Sequence, residues 1–361
     1  MKIYIDGLFY QCSGIGRYYE SIMKELAKTG INIYTCVPHR LQSSFEEDFK
    51  TVKKNITPVF TNYEKFSPEL FYKHSYVLKR LEKKVDIFLY PHINMPFYIP
   101  HKTIAVIHDL IFLTDFWDRG AIKKRLLLFL AKRAIKKSAK IVSISKITYN
   151  QITKNIKTKK DIRVIHEFID DKFHKTTKNK PLINEKYILY IGNRRPHKNI
   201  ENLIRAFNNI KNQIDHKLIL AGEKDNSNNF KYLIKNLYLE KRVHEINTPK
   251  DDIVINLYQH ADLFVFPSLF EGFGLPPLEA IACGCPSITS NIDILKEILG
   301  EEIACMNPYC IDDMAEKILK SLKNEKYRNK LLNSGKEKIK LYDKKIILNK
   351  YIECFTEVLQ Q

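Results

Sequence analysis

The sequence predicts an α/β protein built from two doubly wound parallel-sheet domains, and three observations support this fold class. Short β-branched or aromatic runs alternate with helical stretches along the chain, which is typical of parallel sheets covered by helices on both faces. A chain of 361 residues is too long for one ordinary hydrophobic core and suits two domains. The segment 170–184, rich in Lys, Asp and Thr, is typical of a linker.

The strand-like runs fall into two series, one on each side of this linker. The first comprises 2–6, 33–37, 87–90, 103–107, 140–144 and 163–165, and the second comprises 187–191, 217–221, 263–266 and 286–289. We therefore predict a first domain over 1–175 and a second over 176–339. Ligands of such sheets bind outside the carboxyl ends of the strands, so we look for chemistry in the loops that follow strands.

The formal net charge of +19 is concentrated in the first half of the chain. Residues 1–180 contain 34 Lys and Arg against 17 Asp and Glu, whereas residues 181–361 contain 26 against 24. A Lys-rich composition alone does not explain this difference. It indicates that the first domain faces an anionic partner, either nucleic acid or a membrane surface, where each basic residue contributes about 1 kcal/mol of attraction.

The sequence gives no sign of a leader peptide, a membrane span or a zinc site. The longest apolar cluster, Leu126 to Ala131, is far below the ~18–20 residues that cross a bilayer. The seven cysteines form no C-x2-C pair. We expect reduced thiols in a cytoplasmic protein.

Two glutamates separated by seven residues, Glu271 and Glu279, follow the predicted strand 263–266. Pro276 suits the first turn of a helix and Gly284 suits its end. The segment thus predicts a strand, a glycine-containing loop and a helix N-terminus, which together offer N–H groups and a positive dipole end to an anion. The carboxylates could bracket a ligand that carries hydroxyls as well as phosphate. Because the spacing alone is a weak pattern, solvated surface carboxylates are the alternative.

A basic loop follows the predicted strand 187–191 and precedes a helix. It contains Arg194, Arg195, His197 and Lys198, so it predicts an anion site at a helix N-terminus. A basic surface loop without a ligand is the alternative.

The first domain carries two weaker patterns. Gly14 and Gly16 open a helix after the first strand, where glycine lets the backbone approach a phosphate closely. No G-x-G-x-x-G is present, which counts against an NAD enzyme. His108 and Asp109 follow the predicted strand 103–107. A lone histidine is often a structural residue, so this pair gains meaning only from its context.

That context is a family resemblance. The stretch PSLFEGFGLPPLEAIACGCPSITS, residues 267–290, closely resembles the C-terminal motif of retaining glycosyltransferases of family 4, of the mannosyltransferase type that assembles surface polysaccharides. The glycine loop, the His-Asp pair and the basic loop occur in the family's order. The resemblance implies the GT-B fold, in which two Rossmann-like domains face each other across a cleft. It also implies that a final helix, about 340–361, returns to the first domain.

The resemblance implies roles for the second domain's residues. Lys198 would contact the nucleotide diphosphate, and Arg194 and Arg195 compete for a second cationic role, since the loop is one residue shorter than in some members. Glu271 would face the donor sugar and Glu279 would accept hydrogen bonds from ribose hydroxyls. The backbone near the sugar and diphosphate would be that of Phe273, Gly274 and Leu275.

In the first domain, Gly14 and Gly16 would face the diphosphate and His108 would orient the transferred sugar. Asp109 would either fix the tautomer of His108 or contact the acceptor. The family's retaining outcome is commonly explained by front-face attack, in which the leaving phosphate takes the acceptor proton, so no protein base is required.

The expected reaction is transfer from a nucleotide-diphosphate sugar to a glycan or polyprenyl-diphosphate-linked acceptor. The basic loop resembles that of mannosyl- and related transferases of surface-polysaccharide assembly, and this resemblance implies GDP-mannose as the donor, with UDP-sugars as the alternative. No Asp-x-Asp motif is present, and the basic loop could neutralise the leaving group, so we expect no metal cofactor. A nucleotide-sugar 2-epimerase of the same fold is a second interpretation. A nucleic-acid-binding protein is a third, disfavoured because no recognised nucleic-acid motif is present.

The helix-like segment 121–137 has an apolar centre and basic ends. It is a candidate contact with the anionic inner face of the cytoplasmic membrane, although its charges do not segregate to one face. A buried helix with solvated ends is the alternative. We therefore expect a cytoplasmic protein that associates peripherally with this membrane.

Overall fold

The computed structural model describes residues 1–117, 119–174, 179–223 and 230–361. The chain divides into two compact units, Met1–Glu167 together with Lys345–Gln361, and Phe168–Lys344. The predicted boundary after residue 175 lies eight residues beyond the observed boundary after Glu167. The predicted boundary after residue 339 lies five residues before the observed boundary after Lys344. Residues 175–178 of the predicted linker lie outside the described residues.

The first unit is built on a parallel sheet with the order β3-β2-β1-β4-β5-β6-β7. Its strands are β1 (Lys2–Asp6), β2 (Asn32–Pro38), β3 (Ile56–Thr61), β4 (Ile87–Tyr90), β5 (Thr103–Ile107), β6 (Lys140–Ser143) and β7 (Ile162–Val164). Its helices up to this point of the chain are α1 (Ser13–Lys28), α2 (Gln42–Asp48), α3 (Ser75–Leu81), α4 (Ala121–Lys137) and α5 (Lys146–Asn155). Strands β4, β5 and β6 are buried along their whole length, as expected for a sheet covered on both faces.

The second unit repeats this architecture with the order β10-β9-β8-β11-β12-β13, again all parallel. Its strands are β8 (Tyr187–Ile191), β9 (Lys217–Gly222), β10 (Val243–Asn247), β11 (Leu263–Phe266), β12 (Ser287–Ser290) and β13 (Ala304–Met306). Its helices are α6 (Ile200–Ile210), α7 (Phe230–Asn236), α8 (Asp251–His260), α9 (Leu275–Ala282), α10 (Asp293–Leu299), α11 (Ile311–Lys323) and α12 (Glu325–Ile339). The predicted α/β class of two doubly wound, Rossmann-like parallel sheets is confirmed.

The last helix, α13 (Lys344–Leu359), packs on the first unit. Tyr18 Oη donates a hydrogen bond of 2.5 Å to Tyr351 Oη in the interior. Lys140 and Arg163 both form ion pairs with Glu357. Apolar burial and charge pairing together hold this segment on the first unit.

In each sheet the strand order reverses between the first and the fourth strand of the unit. These switch points lie between β1 and β4 and between β8 and β11. Ligands of open parallel sheets bind outside the carboxyl ends of the strands at such points. The loops after these four strands are therefore where a site is sought. None of the helices in the described ranges is both long and apolar enough to cross a bilayer.

Candidate functional site

An ion pair occupies the switch point of the second unit. Lys198, in the loop after β8, places its Nζ 2.6 Å from Oε1 of Glu271, in the loop after β11. The two side chains are only 12 % and 11 % exposed. The ammonium also lies 5.4 Å from the ring centre of Phe266, a favourable cation–π distance. Charges shielded from solvent lie in a lower effective dielectric and are less screened by salt, so they act more strongly on a bound ion than surface charges do.

Hydrogen bonds between the two loops fix this pair. Leu269 N donates to His197 O at 2.7 Å. The side chain of Asn199 donates to Pro267 O at 3.1 Å and to Pro308 O at 2.7 Å. Asn199 has a positive φ of 59°, which asparagine tolerates better than most residues. Asn199 was not among the predicted site residues, although it directly follows Lys198.

Helix α9 begins where the sequence predicted, directly after the glycine loop. Gly274 is its N-cap with φ of 101°, and a Cβ there would lie 2.8 Å from Leu295 Cδ2, so only glycine fits. Pro276 occupies the first turn, and the N-cap glycine has no side chain with which to cap the helix. Gly284, with φ of 86°, directly follows its C-cap, as predicted. Phe273 and Leu275 flank Gly274 at this N-terminus.

Glu279 is a buried carboxylate on α9, 4 % exposed. Its Oε2 accepts a hydrogen bond of 3.3 Å from Tyr258 Oη. Burial, with the charge of Glu279 as a second cause, raises the pKa of the Cys283 thiol to about 12. The alternative of solvated surface carboxylates is therefore excluded for both Glu271 and Glu279. A charge buried to this degree needs hydrogen-bond donors.

The two adjacent arginines of the basic loop have different surroundings. Arg194 is 1 % exposed, its Nη1 lies 3.0 Å from Glu245 Oε1, and its Nη2 donates to Leu220 O at 3.0 Å. Arg194 is thus held against β9 and β10 as an internal cation of the sheet. Arg195 is exposed. Arg194 is therefore engaged by the sheet of its own unit, whereas Arg195 is open to solvent.

In the first unit, Gly14 and Gly16 lie in the first turn of α1. A Cβ on Gly16 would lie 2.7 Å from Phe9 O, so glycine lets the preceding loop pack against the helix. A Cβ on Gly14 would meet nothing within 4 Å. Gly16 is therefore needed for packing, whereas Gly14 borders open space.

His108 follows β5, and its Nδ1 lies 3.1 Å from Glu167 Oε1. The rings of Tyr18 and His108 pack edge to face, with ring centres 4.8 Å apart. Asp109 instead accepts a hydrogen bond of 3.0 Å from Ile111 N. The carboxylate that orients His108 is therefore Glu167, and the expectation that Asp109 fixes its tautomer is corrected. Glu167 follows β7, so parallel strands bring it to the same edge although it is far away in sequence.

A buried polar network lies beneath the first unit's switch point. Asp6, at the end of β1, accepts hydrogen bonds from Tyr4 Oη at 2.7 Å and His92 Nε2 at 2.7 Å, and His74 Nε2 lies 2.9 Å away. Burial raises the pKa of Asp6, but the hydrogen bonds from the two histidines outweigh it and hold the pKa well below its usual range. Burial likewise lowers the pKa of His74, but its hydrogen bond to Asp6 and its other neighbours raise it to about 10.

No group of three or more His, Cys, Asp or Glu side chains in the described part of the chain is arranged to hold a metal ion.

Comparison with known proteins agrees with this architecture. Residues 12–173 match the family model of Glycosyltransferase Family 4, and residues 172–338 match that of Glycosyl transferases group 1. The serotype-specific mannosyltransferase WbdA of Escherichia coli is 31 % identical over 278 residues, which is 73 % of this chain and 34 % of WbdA. The O-antigen chain mannosyltransferase RfbU of Salmonella typhimurium is 28 % identical over 264 residues, 70 % of this chain and 71 % of RfbU.

Among solved structures, Anabaena HepE in complex with UDP-glucose superposes with a TM-score of 0.77 at 16 % identity, covering 99 % of this chain and 100 % of HepE. This likeness concerns the fold. The chain spans about a third of the length of WbdA and most of RfbU. The two family models together cover nearly the whole chain, and the chain belongs to the glycosyltransferases of family 4, with the GT-B fold.

Proposed function

We propose that the protein is a retaining glycosyltransferase that transfers a sugar from a nucleotide-diphosphate sugar to a hydroxyl of a glycan or polyprenyl-diphosphate-linked acceptor. The observation that supports this most strongly is the buried Lys198–Glu271 pair at the second unit's switch point. A fixed cation beside a carboxylate and a helix N-terminus that begins at a glycine suits a ligand that is anionic at one end and hydroxylated at the other.

Each residue of this site has a part in the proposed donor complex. Lys198 binds the diphosphate and Arg195 adds a second, exposed cation. Glu271 accepts hydrogen bonds from hydroxyls of the donor sugar, while Glu279 does the same for the ribose. Backbone N–H groups of Phe273, Gly274 and Leu275, at the N-terminus of α9, approach the sugar and diphosphate.

The proposed reaction replaces one bond at the anomeric carbon by another on the same face. The bond from this carbon to the diphosphate oxygen breaks, and its electron pair stays on the leaving diphosphate. The acceptor oxygen bonds to the anomeric carbon, and its proton passes to the leaving phosphate oxygen. Lys198 and Arg195 stabilise the charge that develops, each by an amount of the order of 3–4 kcal/mol at most. His108, held by Glu167, orients the transferred sugar.

We propose GDP-mannose as the donor, since WbdA and RfbU are named mannosyltransferases. UDP-sugars are the alternative, because HepE was solved with UDP-glucose. The O-antigen role printed for RfbU supports surface-polysaccharide assembly as the setting.

The test is to incubate the intact protein with GDP-mannose, UDP-glucose or ADP-glucose and a set of octyl glycosides. We expect release of the nucleoside diphosphate together with a glycoside extended by one sugar, detected by mass spectrometry. Its new linkage should keep the donor's anomeric configuration, read by NMR. Excess chelator should not reduce the rate, and a strict need for Mg²⁺ would contradict metal-free transfer. Isomerised nucleotide sugar without acceptor would instead support the 2-epimerase.

We also propose that α4 contacts an anionic lipid surface. Leu130, Ala131, Ala134 and Ile135 in the second half of this helix are buried. In contrast, Ile122, Leu126 and Phe129, spaced to share one face, are exposed, Ile122 by 85 %. Lys123, Lys124 and other basic residues of the same helix surround them. Apolar side chains within a basic surface suit the headgroup region of anionic lipids.

Sedimentation with vesicles tests this contact. The protein should bind vesicles that contain phosphatidylglycerol, bind phosphatidylcholine vesicles much less, and be released by salt. Ile122→Ser with Phe129→Ser should weaken binding, whereas Tyr232→Ser and Tyr238→Ser, exposed in the second unit, should not. Retention on duplex DNA but not on vesicles would replace this proposal with nucleic-acid binding.

A further inference from the structure

The first unit carries unsatisfied polar atoms at the switch point between β1 and β4, apart from the residues that the sequence predicted. Asn94 lies four residues after β4 and is 1 % exposed. Neither its Nδ2 nor its Oδ1 has a hydrogen-bond partner within the described residues. Two residues earlier, His92 is 3 % exposed and its Nδ1 is likewise buried without a described partner. Buried polar groups are nearly always paired, so these atoms call for a ligand or ordered water.

The surroundings of His92 decide which kind of ligand suits this place. A carboxylate only accepts hydrogen bonds, so the Nε2 atom that faces Asp6 at 2.7 Å carries the hydrogen. Nδ1 of the neutral imidazole is then an acceptor. Oδ1 of Asn94 is an acceptor as well. A ligand that satisfies them must donate hydrogen bonds, which hydroxyl groups do and fully ionised phosphate does not.

A second histidine with one ring nitrogen bound to a carboxylate and the other left without a described partner follows the neighbouring strand β5. Glu167 binds Nδ1 of His108, while Nε2 of His108 is buried and has no partner in the described part of the chain. Because β4 and β5 are adjacent, with Tyr90 opposite Ala105, both histidines lie near the same edge. Phe9, from the loop after β1, packs on His92 with ring centres 4.4 Å apart. This edge therefore combines several hydrogen-bond acceptors with an aromatic ring.

We propose that His92 and Asn94 form the subsite that binds hydroxyl groups of the acceptor sugar. This inference rests on the proposed glycosyl transfer and adds two binding residues to it. Asp6 acts as a positioning residue that sets the tautomer of His92. The amide of Asn94 can both donate to and accept from a hydroxyl, which matches a sugar better than an apolar or purely anionic ligand.

Two variants test the subsite in the intact protein. His92→Gln keeps an amide N–H that can donate to Asp6 but moves the acceptor from the position of Nδ1 to the amide oxygen. Asn94→Leu replaces the amide by an apolar side chain of similar size. Each should raise KM for a converted octyl glycoside about tenfold or more, as loss of a buried hydrogen bond does. The affinity for the nucleotide sugar should stay unchanged. Without acceptor, Asn94→Leu should melt at or above the wild-type temperature, because it removes unsatisfied polar atoms.

Ser138→Ala is the matched control. Ser138 is also fully buried with an unpartnered Oγ in the described structure, but it precedes β6 at the amino edge of the same sheet. Ser138→Ala should leave the KM for the octyl glycoside and the KM for the nucleotide sugar unchanged. A monodeoxy octyl glycoside that lacks the recognised hydroxyl should have the same KM with wild type and with Asn94→Leu.

The outcomes separate the subsite from the proposed function. If no nucleotide sugar binds the wild type, the proposed function fails. If the donor binds and both variants keep the wild-type KM for the glycoside, only the subsite is wrong. A lower melting temperature of Asn94→Leu with an unchanged KM would assign these atoms to structural water. A wild type that binds the donor but none of the octyl glycosides would overturn the subsite as well.

Discussion

The first six strands of each unit have the same order in their sheets, so the loops at the two switch points can be compared directly. In the second unit a lysine from the loop after the first strand pairs with a glutamate from the loop after the fourth strand, Lys198 with Glu271 at 2.6 Å. In the first unit the acid comes from the first strand and the partner is an imidazole, Asp6 with His92 at 2.7 Å. Topology fixes the position of both pairs, and residue chemistry distinguishes them.

The different chemistry of these two pairs suits two different kinds of ligand. The second unit's pair includes the ammonium group of Lys198 in a nearly buried position, which favours a diphosphate. In the first unit, Asp6 engages the N–H of His92 and leaves acceptor atoms, which favour hydroxyls. We therefore propose that the donor binds the second unit and the acceptor binds the first.

The largest expected effect is at Lys198. Lys198→Ala should reduce turnover by about 10²–10³-fold, since it removes a preorganised charge from the leaving diphosphate. Lys217→Ala is the control: Lys217 pairs with Glu185 at 2.5 Å but begins β9, at the amino edge of the sheet. Steady-state kinetics should show nearly wild-type turnover for this control. Equal turnover in both variants would remove the donor assignment from the second unit.

Substitution of Arg194 should mainly lower stability, whereas substitution of Arg195 should mainly lower the rate of transfer. Arg194→Met leaves Glu245 without its partner and should lower the free energy of unfolding by about 3 kcal/mol, as breaking a buried pair does. Arg195→Met should leave the melting temperature unchanged and reduce transfer about tenfold. Denaturant unfolding and kinetics on both variants check this. The reverse pattern would return the diphosphate role to Arg194.

Glu279→Gln should weaken nucleotide-sugar binding by about 10-fold, because a neutral amide oxygen accepts ribose hydroxyls less strongly than a carboxylate. Titration calorimetry measures the change. Glu316→Gln, exposed on α11, is the control and should bind as the wild type does. Unchanged affinity of Glu279→Gln would show that this carboxylate serves only the interior of the second unit.

The smallest expected effect concerns the Asp6 network. The folded pKa of His74, about 10, exceeds the ordinary value near 6.5, so its stabilising contribution is complete below pH ~6.5 and is lost as pH rises towards 10. The lowered pKa of Asp6 acts in the opposite sense, since its contribution is present above pH ~4 and is lost on acidification. The melting-temperature difference between wild type and His74→Gln should therefore shrink by a few °C between pH 6.5 and 9.5.

A pH-independent difference would contradict a charged His74 in the folded first unit.

Sequence reasoning predicted the elements with strong local signals and missed those without them. Strands β8 and β11 are uninterrupted apolar runs and were predicted with their observed limits. Strand β3 contains Pro58 and lies at a sheet edge, where proline is tolerated. Strand β10 carries polar residues and β13 has only three residues. Neither gives a recognisable period.

The residues of the candidate site also fall into a group that the sequence predicted and a group that it missed. Lys198 and Glu271 were predicted because each lies in a motif that follows a strand. Glu167 and His92 were not, because only the pairing of distant strands brings them to His108 and Asp6. The different surroundings of Arg194 and Arg195 were also beyond the sequence, since they depend on how Arg194 packs against β9 and β10.

Thermal stabilisation by nucleotide sugars tests the central claim most directly, because a ligand that binds the native state raises its melting temperature. We expect GDP-mannose, or a UDP-sugar in its place, to raise the melting temperature of the wild type and of Lys217→Ala by several degrees, corresponding to ~2.7 kcal/mol at 100 times Kd. Lys198→Ala should lose most of this rise. A wild type that no nucleotide sugar stabilises, or a Lys198→Ala variant stabilised as much as the wild type, would contradict the account.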